Sequence, residues 1–450
     1  MFIRILVLIK EHLECNHESE AVKAFKMLIN IPLVCHTNQG PMSLDDKGQK
    51  LSNRESLRRK ISLINEDQWH TFSALSLGLV GNQPRPNKDK VKNKDVAPDL
   101  SALESKVVYL CSKGDFSKAY STLFPNASAP FNDDTLNNLA SLHPPTETDS
   151  QWKENVRNHV SDSTITITEN MVRDYIHKCD HLIGPGPSAT TMDTFKALMG
   201  SPRSIEGSKF ITSLTWLQNY MANEKIPSEI ATMLQYSSLI ALDKGMGKIR
   251  PIAMGETLRK MNAALILQII DTDVKDMFKG AQLGMESMGT EKIIHSINHA
   301  QQTHKEWDTI CLDHKNAFNL VKRSVIAAKL IADFPQVVNY FRTYYCDSAS
   351  LLLSDPNTLD VFEFFSCTGI QQGDVNGPFL HNVGTINYVR KLIEIMSEGT
   401  CLALQDDING VAPFHRCIAA LEYAIEHGEE SGVYLQHSKI NVLLGQCDTL

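Results

Sequence analysis

Acidic side chains stand at two widely separated places in the C-terminal third of this chain. Asp313 lies in Leu-Asp-His-Lys-Asn-Ala-Phe-Asn (312–319), and the pair Asp406-Asp407 lies in Leu-Gln-Asp-Asp (404–407). Each has an ordinary reading. An Asp between an apolar run and a helix caps the helix, and Asp-Asp in a turn is turn chemistry. Taken together they pose a different question, because neighbouring carboxylates repel and their pairing is costly unless a cation offsets it. Two Mg²⁺ ions held by three carboxylates would remove that cost, with Mn²⁺ as a substitute. Such a clamp aligns an attacking 3′-hydroxyl, an α-phosphate and a departing pyrophosphate. Phosphoryl transfer asks mainly for this positioning and charge neutralisation.

Other segments suit the same chemistry. Lys244, Lys248 and Arg250 lie in Asp-Lys-Gly-Met-Gly-Lys-Ile-Arg-Pro-Ile (243–252). By itself this is a solvated hairpin tip, but it is also a flexible basic arm able to fold over a triphosphate, with Arg suited to fork-like phosphate contact. The glycine spacing is not that of a P-loop. Gly369-Ile370-Gln371-Gln372-Gly373-Asp374, followed by Gly377-Pro378, lets backbone approach a ligand closely. It offers Gln side chains to a nucleotide or template and puts Pro in a first helical turn. Phe318 reads as a core aromatic. Beside an incoming sugar its ring would instead exclude a 2′-hydroxyl and select deoxynucleotides by shape. Lys439, in His-Ser-Lys-Ile, reads as a surface lysine, or as a proton donor to pyrophosphate where it reaches the phosphates.

These residues need elements to hold them. Residues 237–242 and 249–253 read as two strands joined by the glycine turn. Residues 307–312 read as a strand ending at Asp313, followed by a helix over 318–332. Residues 349–353 and 359–365 bracket Asp355-Pro356-Asn357 as a hairpin, and 377–396 is a long helix. Residues 401–404 and 408–412 form a hairpin with Asp406-Asp407 at its tip, followed by a helix over 415–430 and a strand beginning at 433–435. Upstream, residues 207–225, 227–237 and 256–272 have helical periodicity, as do 98–125 and 165–176. Residues 183–188 and the polar stretch through Pro144-Pro145 read as loops. Residues 36–60 are polar, and 82–95, rich in Pro, Asn and Lys, reads as a linker. Residues 2–9 read as a strand or a buried helix turn. The mixture argues an α+β fold.

At this point the sequence resembles a reverse transcriptase of the kind carried by non-LTR retrotransposons. Arg250-Pro251-Ile252 is similar to the fingers motif. Asp313 with Asn316-Ala317-Phe318-Asn319 is similar to the first palm motif, Gln371-Gln372-Gly373-Asp374 with Gly377-Pro378 to the second, Asp406-Asp407 to the third and Ser438-Lys439 to the fourth. Gln282-Leu283-Gly284, Gly289-Thr290-Glu291 and His295 resemble the stretch before the first palm motif. The resemblance implies a right-hand polymerase fold that copies RNA into DNA. It implies Asp313, Asp406 and Asp407 as metal ligands and Phe318 as a steric gate. Lys248 and Arg250 would contact the triphosphate, with Lys244 a looser candidate. Gln372 and Gly373 would lie near nucleotide and template, and Lys439 near the phosphates. The expected partners are an RNA template, a DNA primer and dNTPs. The family usually has an aromatic residue where Leu404 stands, and Gln405 is unusual beside the acidic pair. The implied division is 1–97 as an ill-defined region with a linker, 98–235 as a helical region, and 236–450 as fingers and palm. The thumb is expected to be missing, as in a truncated or decayed element. A remnant acting only as a nucleic-acid scaffold is therefore the second reading.

Composition sets bounds. With 450 residues, several domains and a sizeable core are expected. A net charge of −8 is not that of a protein held to nucleic acid by a global positive field, so any basic groove is local. The ten cysteines include no C-x-x-C pair or zinc spacing, and read as reduced thiols of an intracellular, nuclear or cytoplasmic protein. No signal peptide or membrane span is expected. A viral RNA-dependent RNA polymerase would want Asp at position 318 and a Ser-Gly…Thr…Asn second motif, and is excluded.

Overall fold

The computed structural model describes residues 2–36, 100–112, 116–123, 128–145, 150–179, 184–201, 204–355, 358 and 360–446. The expected linker at 82–95, most of the 36–60 stretch and the tip of the 355–357 turn lie outside these. Phe2, Ile5, Leu6 and Ile9 repeat at helical spacing and are all buried, so the N-terminal segment is a helix, α1 (Phe2–Glu14), followed by α2 (Glu18–His36). The Phe2 ring meets Phe195 and Phe210 edge-on, which joins these helices to the main core. The helical stretch expected over 98–125 is two helices, α3 (Leu100–Ser112) and α4 (Phe116–Leu123).

The polar stretch before Pro144-Pro145, expected as loop, holds another helix, α5 (Asp133–Leu142). Its apolar stripe is only Leu136, Leu139 and Leu142, too thin to stand out from the polar residues around it. The Asn132 side chain accepts from the Thr135 N–H at 2.9 Å and caps it. Then come α6 (Gln151–Asn158), α7 (Glu169–Lys178), α8 (Met192–Met199), α9 (Ile205–Asn223) and α10 (Ser228–Gln235). Residues 165–168 were expected to begin α7 but are extended. The N–H groups of Ile165 and Ile167 donate to the side chains of Asn223 and Asn219 on α9, each at 2.8 Å, so their backbone is satisfied without a helix.

Next in the chain come β1 (Ser237–Asp243), β2 (Ile249–Gly255), α11 (Thr257–Ile269), α12 (Asp271–Phe278), α13 (Gly289–Thr303), β3 (Asp308–Leu312), α14 (Ala317–Leu320), α15 (Arg323–Asp333) and α16 (Val338–Tyr345). They are followed by β4 (Ala349–Ser354), β5 (Val361–Ser366), α17 (Gly377–Ile395), β6 (Thr400–Leu404), β7 (Asp407–Ala412), α18 (Phe414–Ser431) and β8 (Asn441–Leu443). The helix expected over 318–332 is broken at 321–322. There the Lys322 N–H donates to Ser431 O at 3.0 Å rather than back along its own helix. The strand expected at 433–435 reduces to one bridge, His314 to Leu435.

Two four-stranded sheets result. One has the order β2-β1-β4-β5, with β1 and β4 parallel and the other pairs antiparallel. The other has the order β6-β7-β3-β8 and is antiparallel throughout. Strand alternation gives the second sheet two unlike faces. Ile310, Leu312, Cys401, Ala403 and Ile408 are buried in the core that also contains α15, α17 and α18. The opposite face carries Cys311, Asn409 and the acidic residues. Among the described residues no helix is long and apolar enough to cross a membrane.

Candidate active site

The second sheet brings the acidic residues together. In its register Leu312 faces Ile408, and one further step sets Asp313 across from Asp407. Asp406 occupies the turn between β6 and β7. Asp313 caps no helix. Its backbone carbonyl accepts from Gln436 N at 2.8 Å, and its side chain is left to the site. Protein around the hairpin raises the Asp407 pKa, and the neighbouring charges of Asp406 and Asp313 raise it further, with Lys439 opposing. The Lys439 ammonium donates to Asp313 Oδ2 at 2.6 Å. Asp313, Asp407 and Lys439 border a cavity of about 610 Å³, whose far wall is Ile293, Ile294 and Ile297 of α13.

The turn that presents Asp406 is held from two sides. Gln405 has a left-handed backbone, φ +58°, uncommon for a side chain of its type. The buried Gln282 side chain accepts from Gln405 N at 2.7 Å and donates to Gln405 O at 3.0 Å. From below, buried His314 donates through Nδ1 to Asp406 O at 2.5 Å. Its Nε2 meets the Tyr388 hydroxyl, which can donate or accept, at 3.3 Å, so the Asp406 carbonyl fixes the proton on Nδ1. Burial lowers the His314 pKa, against the pull of the Asp406 carbonyl and the carboxylates of Asp406 and Asp313.

After Asp313 the chain turns through Asn316, also left-handed at φ +47°, into α14. The half-buried Phe318 ring stacks on the imidazole of His381 from α17, with centroids 4.7 Å apart and planes inclined by 20°. His381 is buried, and this pushes its pKa down to about 4, so it is neutral near pH 7.

The segment 369–378 leans on this turn. The Ile370 N–H donates to Phe318 O at 2.6 Å. Gly369 has φ +58°, and a Cβ there would overlap the backbone of Asn319, so only glycine fits. The two glutamines divide. Gln371 is buried and its Oε1 accepts from Arg259 at 3.0 Å and Ser237 at 3.2 Å. Gln372 is half-buried, and its carbonyl accepts from Ala253 N at 2.7 Å, tying the loop to β2. Gly373 is exposed with φ +111°. Asp374 is an anchor. Its buried carboxylate meets Arg259 at 2.7 Å and the hydroxyls of Tyr340 (2.8 Å) and Tyr345. Burial alone would raise the Asp374 pKa, but Arg259 and the tyrosine hydrogen bonds together hold it below the usual carboxylate range.

The basic residues sit on the β1–β2 hairpin, whose exposed tip turns through Gly245, Met246 and Gly247 at positive φ. Lys244, Lys248 and Arg250 are exposed. Lys244 is the one whose charge is tied to the acidic cluster. Desolvation lowers its pKa, as do Arg250 and Lys439, while Asp406 and Asp313 pull it up. Lys244 is thus within electrostatic reach of Asp406 and Asp313, as is Lys439, which bonds Asp313 directly. Lys248 closes the turn through its backbone, donating to Gly245 O at 3.0 Å.

Of the candidate site residues, Lys244, Lys248 and Arg250 lie on the β1–β2 hairpin, Asp313 at the end of β3, Phe318 on α14, Gln372 and Gly373 on the loop before α17, Asp406 and Asp407 on the β6–β7 hairpin, and Lys439 just before β8. Sequence reasoning assigned no role to His314 or His381, and named Asn319 only as part of the first palm motif. His314 stands next to Asp313, and that adjacency was the available signal. His381 had none, because α17 is apolar and polar side chains alike are buried along its length.

Among the described residues no three His, Cys, Asp or Glu side chains close on one point as a formed metal site would. The donors are nevertheless carboxylate oxygens, and the Asp407 pKa, raised first by burial and then by the charges of Asp406 and Asp313, marks a charged form that a hard divalent cation would favour. Residues 242–450 match the family described as reverse transcriptase (RNA-dependent DNA polymerase), which generally uses divalent metal ions. A 132 kDa protein of the retrotransposable element SLACS from Trypanosoma brucei gambiense is 26% identical over 228 residues. The match takes in 49% of this chain and 18% of that protein, so the chain spans about a fifth of the relative's length. Two solved structures of apo telomerase from Candida tropicalis also align. One, truncated from its C-terminal domain, is 11% identical with a TM-score of 0.37, covering 48% of this chain and 51% of that one. The other is 10% identical with a TM-score of 0.39, covering 48% and 45%. The sheet β2-β1-β4-β5 corresponds to fingers and the sheet β6-β7-β3-β8 to palm, and residues 242–450 belong to the reverse transcriptase family.

Proposed function

We propose that this chain adds deoxynucleotides to the 3′-hydroxyl of a DNA primer on an RNA template, with 236–450 as the catalytic unit and 98–235 as a helical unit against it. One observation carries the reading: the pairing of β3 with β7 sets Asp313 across from Asp407, beside Asp406, with Lys244 of the basic hairpin within electrostatic reach. Asp313, Asp406 and Asp407 would hold two Mg²⁺ ions. Bound there, the metals would supply charge neutralisation at the reacting phosphate and lower the pKa of the primer hydroxyl.

The chain's own residues do the rest. Lys244 and Arg250, with Lys248 at the tip, attract and orient the triphosphate. Phe318, backed by His381, presses on the sugar and excludes a 2′-hydroxyl. Gln372 and Gly373 lie where the loop exposes side chain and backbone to nucleotide or template. Lys439 trades Asp313 for phosphate and donates a proton to the departing pyrophosphate. The test is incorporation of dNTPs on an RNA template with a DNA primer, with Mg²⁺ and with Mn²⁺. Binding of primer–template without any extension under either metal would favour the second reading, a scaffold.

A further inference from the structure

Helix α5 lies outside the matched segment 242–450, yet it spans from the fingers to the residues around Phe318. At its N-terminal side, Ala129 N donates to Ala241 O at 2.9 Å, so residue 128 bridges the edge of β1. In its middle, fully buried Leu139 packs with Leu239, Ala241, Ala253, Leu351 and Leu353 of the fingers sheet. Asn138 reaches the basic tip, donating to Gly247 O at 3.4 Å. At its C-terminal end the Leu142 carbonyl accepts from two side chains, Asn316 Nδ2 and Asn319 Nδ2, each at 2.9 Å.

A helix leaves its last carbonyls without intrahelical partners, and here one of them is spent on the palm. The two asparagines flank Phe318 on either side in sequence. Asn319 is buried, so its amide has few other ways to be satisfied, and Asn316 turns the chain in a left-handed conformation. On its other side the same turn is fixed by Ile370 N and by Thr368 Oγ1, which donates to Asn319 O at 3.0 Å. The turn carrying Phe318 is thus gripped between the 368–370 loop and α5.

We propose that α5 is a strut that sets the position of Phe318 and so sharpens discrimination between deoxy- and ribonucleotides, with Asn316 and Asn319 as positioning residues. The proposal rests on Phe318 being the sugar gate. It makes sugar selection depend on residues 128–142, upstream of the polymerase motifs.

The test uses the full chain and two variants at opposite ends of the strut. Asn316→Gly keeps the left-handed backbone and deletes the amide, and Leu139→Ala loosens α5 far from the gate. Two readouts apply: the ratio of ribo- to deoxynucleotide kcat/KM, and hydrogen exchange at the amides of 319–321, which needs no catalysis. Each variant is expected to raise the ratio by roughly three- to tenfold, the worth of one hydrogen bond, and to speed exchange. The double variant should be little worse than either alone, because both loosen one device. Unchanged ratio and exchange in Asn316→Gly, with native helix content, would overturn the strut, and that variant decides alone if Leu139→Ala does not fold. If Phe318→Ala relaxes selection while neither strut variant does, the strut falls and the gate stands. If Phe318→Ala leaves selection unchanged, the gate reading falls and this use of the strut with it.

Discussion

The carboxamide of Gln282 brackets the backbone of Gln405, accepting from its N–H and donating to its carbonyl at 2.7 and 3.0 Å. Gln405 immediately precedes Asp406 and has a left-handed conformation. A residue far upstream of the hairpin thus sets the angle at which the Asp406 carboxylate, a proposed metal ligand, is offered. Gln282→Leu would leave two backbone groups short of partners, at about 1–3 kcal/mol. The expected kinetic result is a lower kcat with little change in KM for dNTP, because aim rather than substrate contact is lost. Steady-state kinetics on a primed RNA template check this.

Asp406→Asn and Asp407→Asn each remove a charge from the acidic cluster while keeping shape. Extension should fall on the order of 10³-fold or more, since a metal site supplies several kcal/mol to the transition state. Burial first, and then the charges of Asp406 and Asp313, disfavour the charged form of Asp407, so removing a charge here should leave thermal stability equal or higher. Full activity in either variant contradicts the metal role.

Phe318→Ala should admit ribonucleotides. The same variant uncovers His381, whose low pKa comes from burial. Sugar selection read from paired dNTP and rNTP incorporation should drop while dNTP addition persists.

Acid should destabilise the fold through His381. Its pKa is about 4 when folded against an ordinary 6.5, so between these values the unfolded chain binds the extra proton. Stability therefore rises with pH across about 4 to 6.5 and is lost as pH falls through that window, by a total on the order of 3 kcal/mol. His314, also lowered, adds in the same direction. His381→Phe keeps a ring against Phe318 and removes the titration. Urea unfolding at a series of pH values should give it a flatter profile than the parent.

Arg259 and Asp374 form an ion pair that is almost wholly buried. Arg259→Met would strand the Asp374 carboxylate with only the tyrosine hydroxyls and a backbone N–H. A loss of about 3–5 kcal/mol is expected, measurable by chemical denaturation.

The parts of the fold built on short-range signals were legible in the sequence. Gly245 and Gly247 mark the basic hairpin, the alternation around Asp406-Asp407 marks the acidic one, and Pro378 marks the start of α17, and all three are where they were expected. What the sequence concealed depends on distant partners. Residues 165–168 are apolar at helical spacing, yet two asparagines of α9 hold them extended. Helix α5 looked like a loop because its apolar stripe is thin and finds its partner in the distant fingers sheet. Residues 433–435 looked like a strand, but β3 is paired by β8 further on. The candidate site was legible as residue types. Its supports were not, because a Gln or His in a sequence does not announce which backbone group it will reach.

The order β6-β7-β3-β8 puts the strand that ends at Asp313 between neighbours that both come later in the chain, at 407–412 and 441–443. During synthesis that strand must wait, with both edges open, while the intervening helices are made. Contacts of such long sequence separation form late and slowly, and an open strand is exposed to wrong pairing meanwhile. A half-made chain would therefore have no assembled acidic cluster with which to act on whatever RNA is nearby, including the message being read.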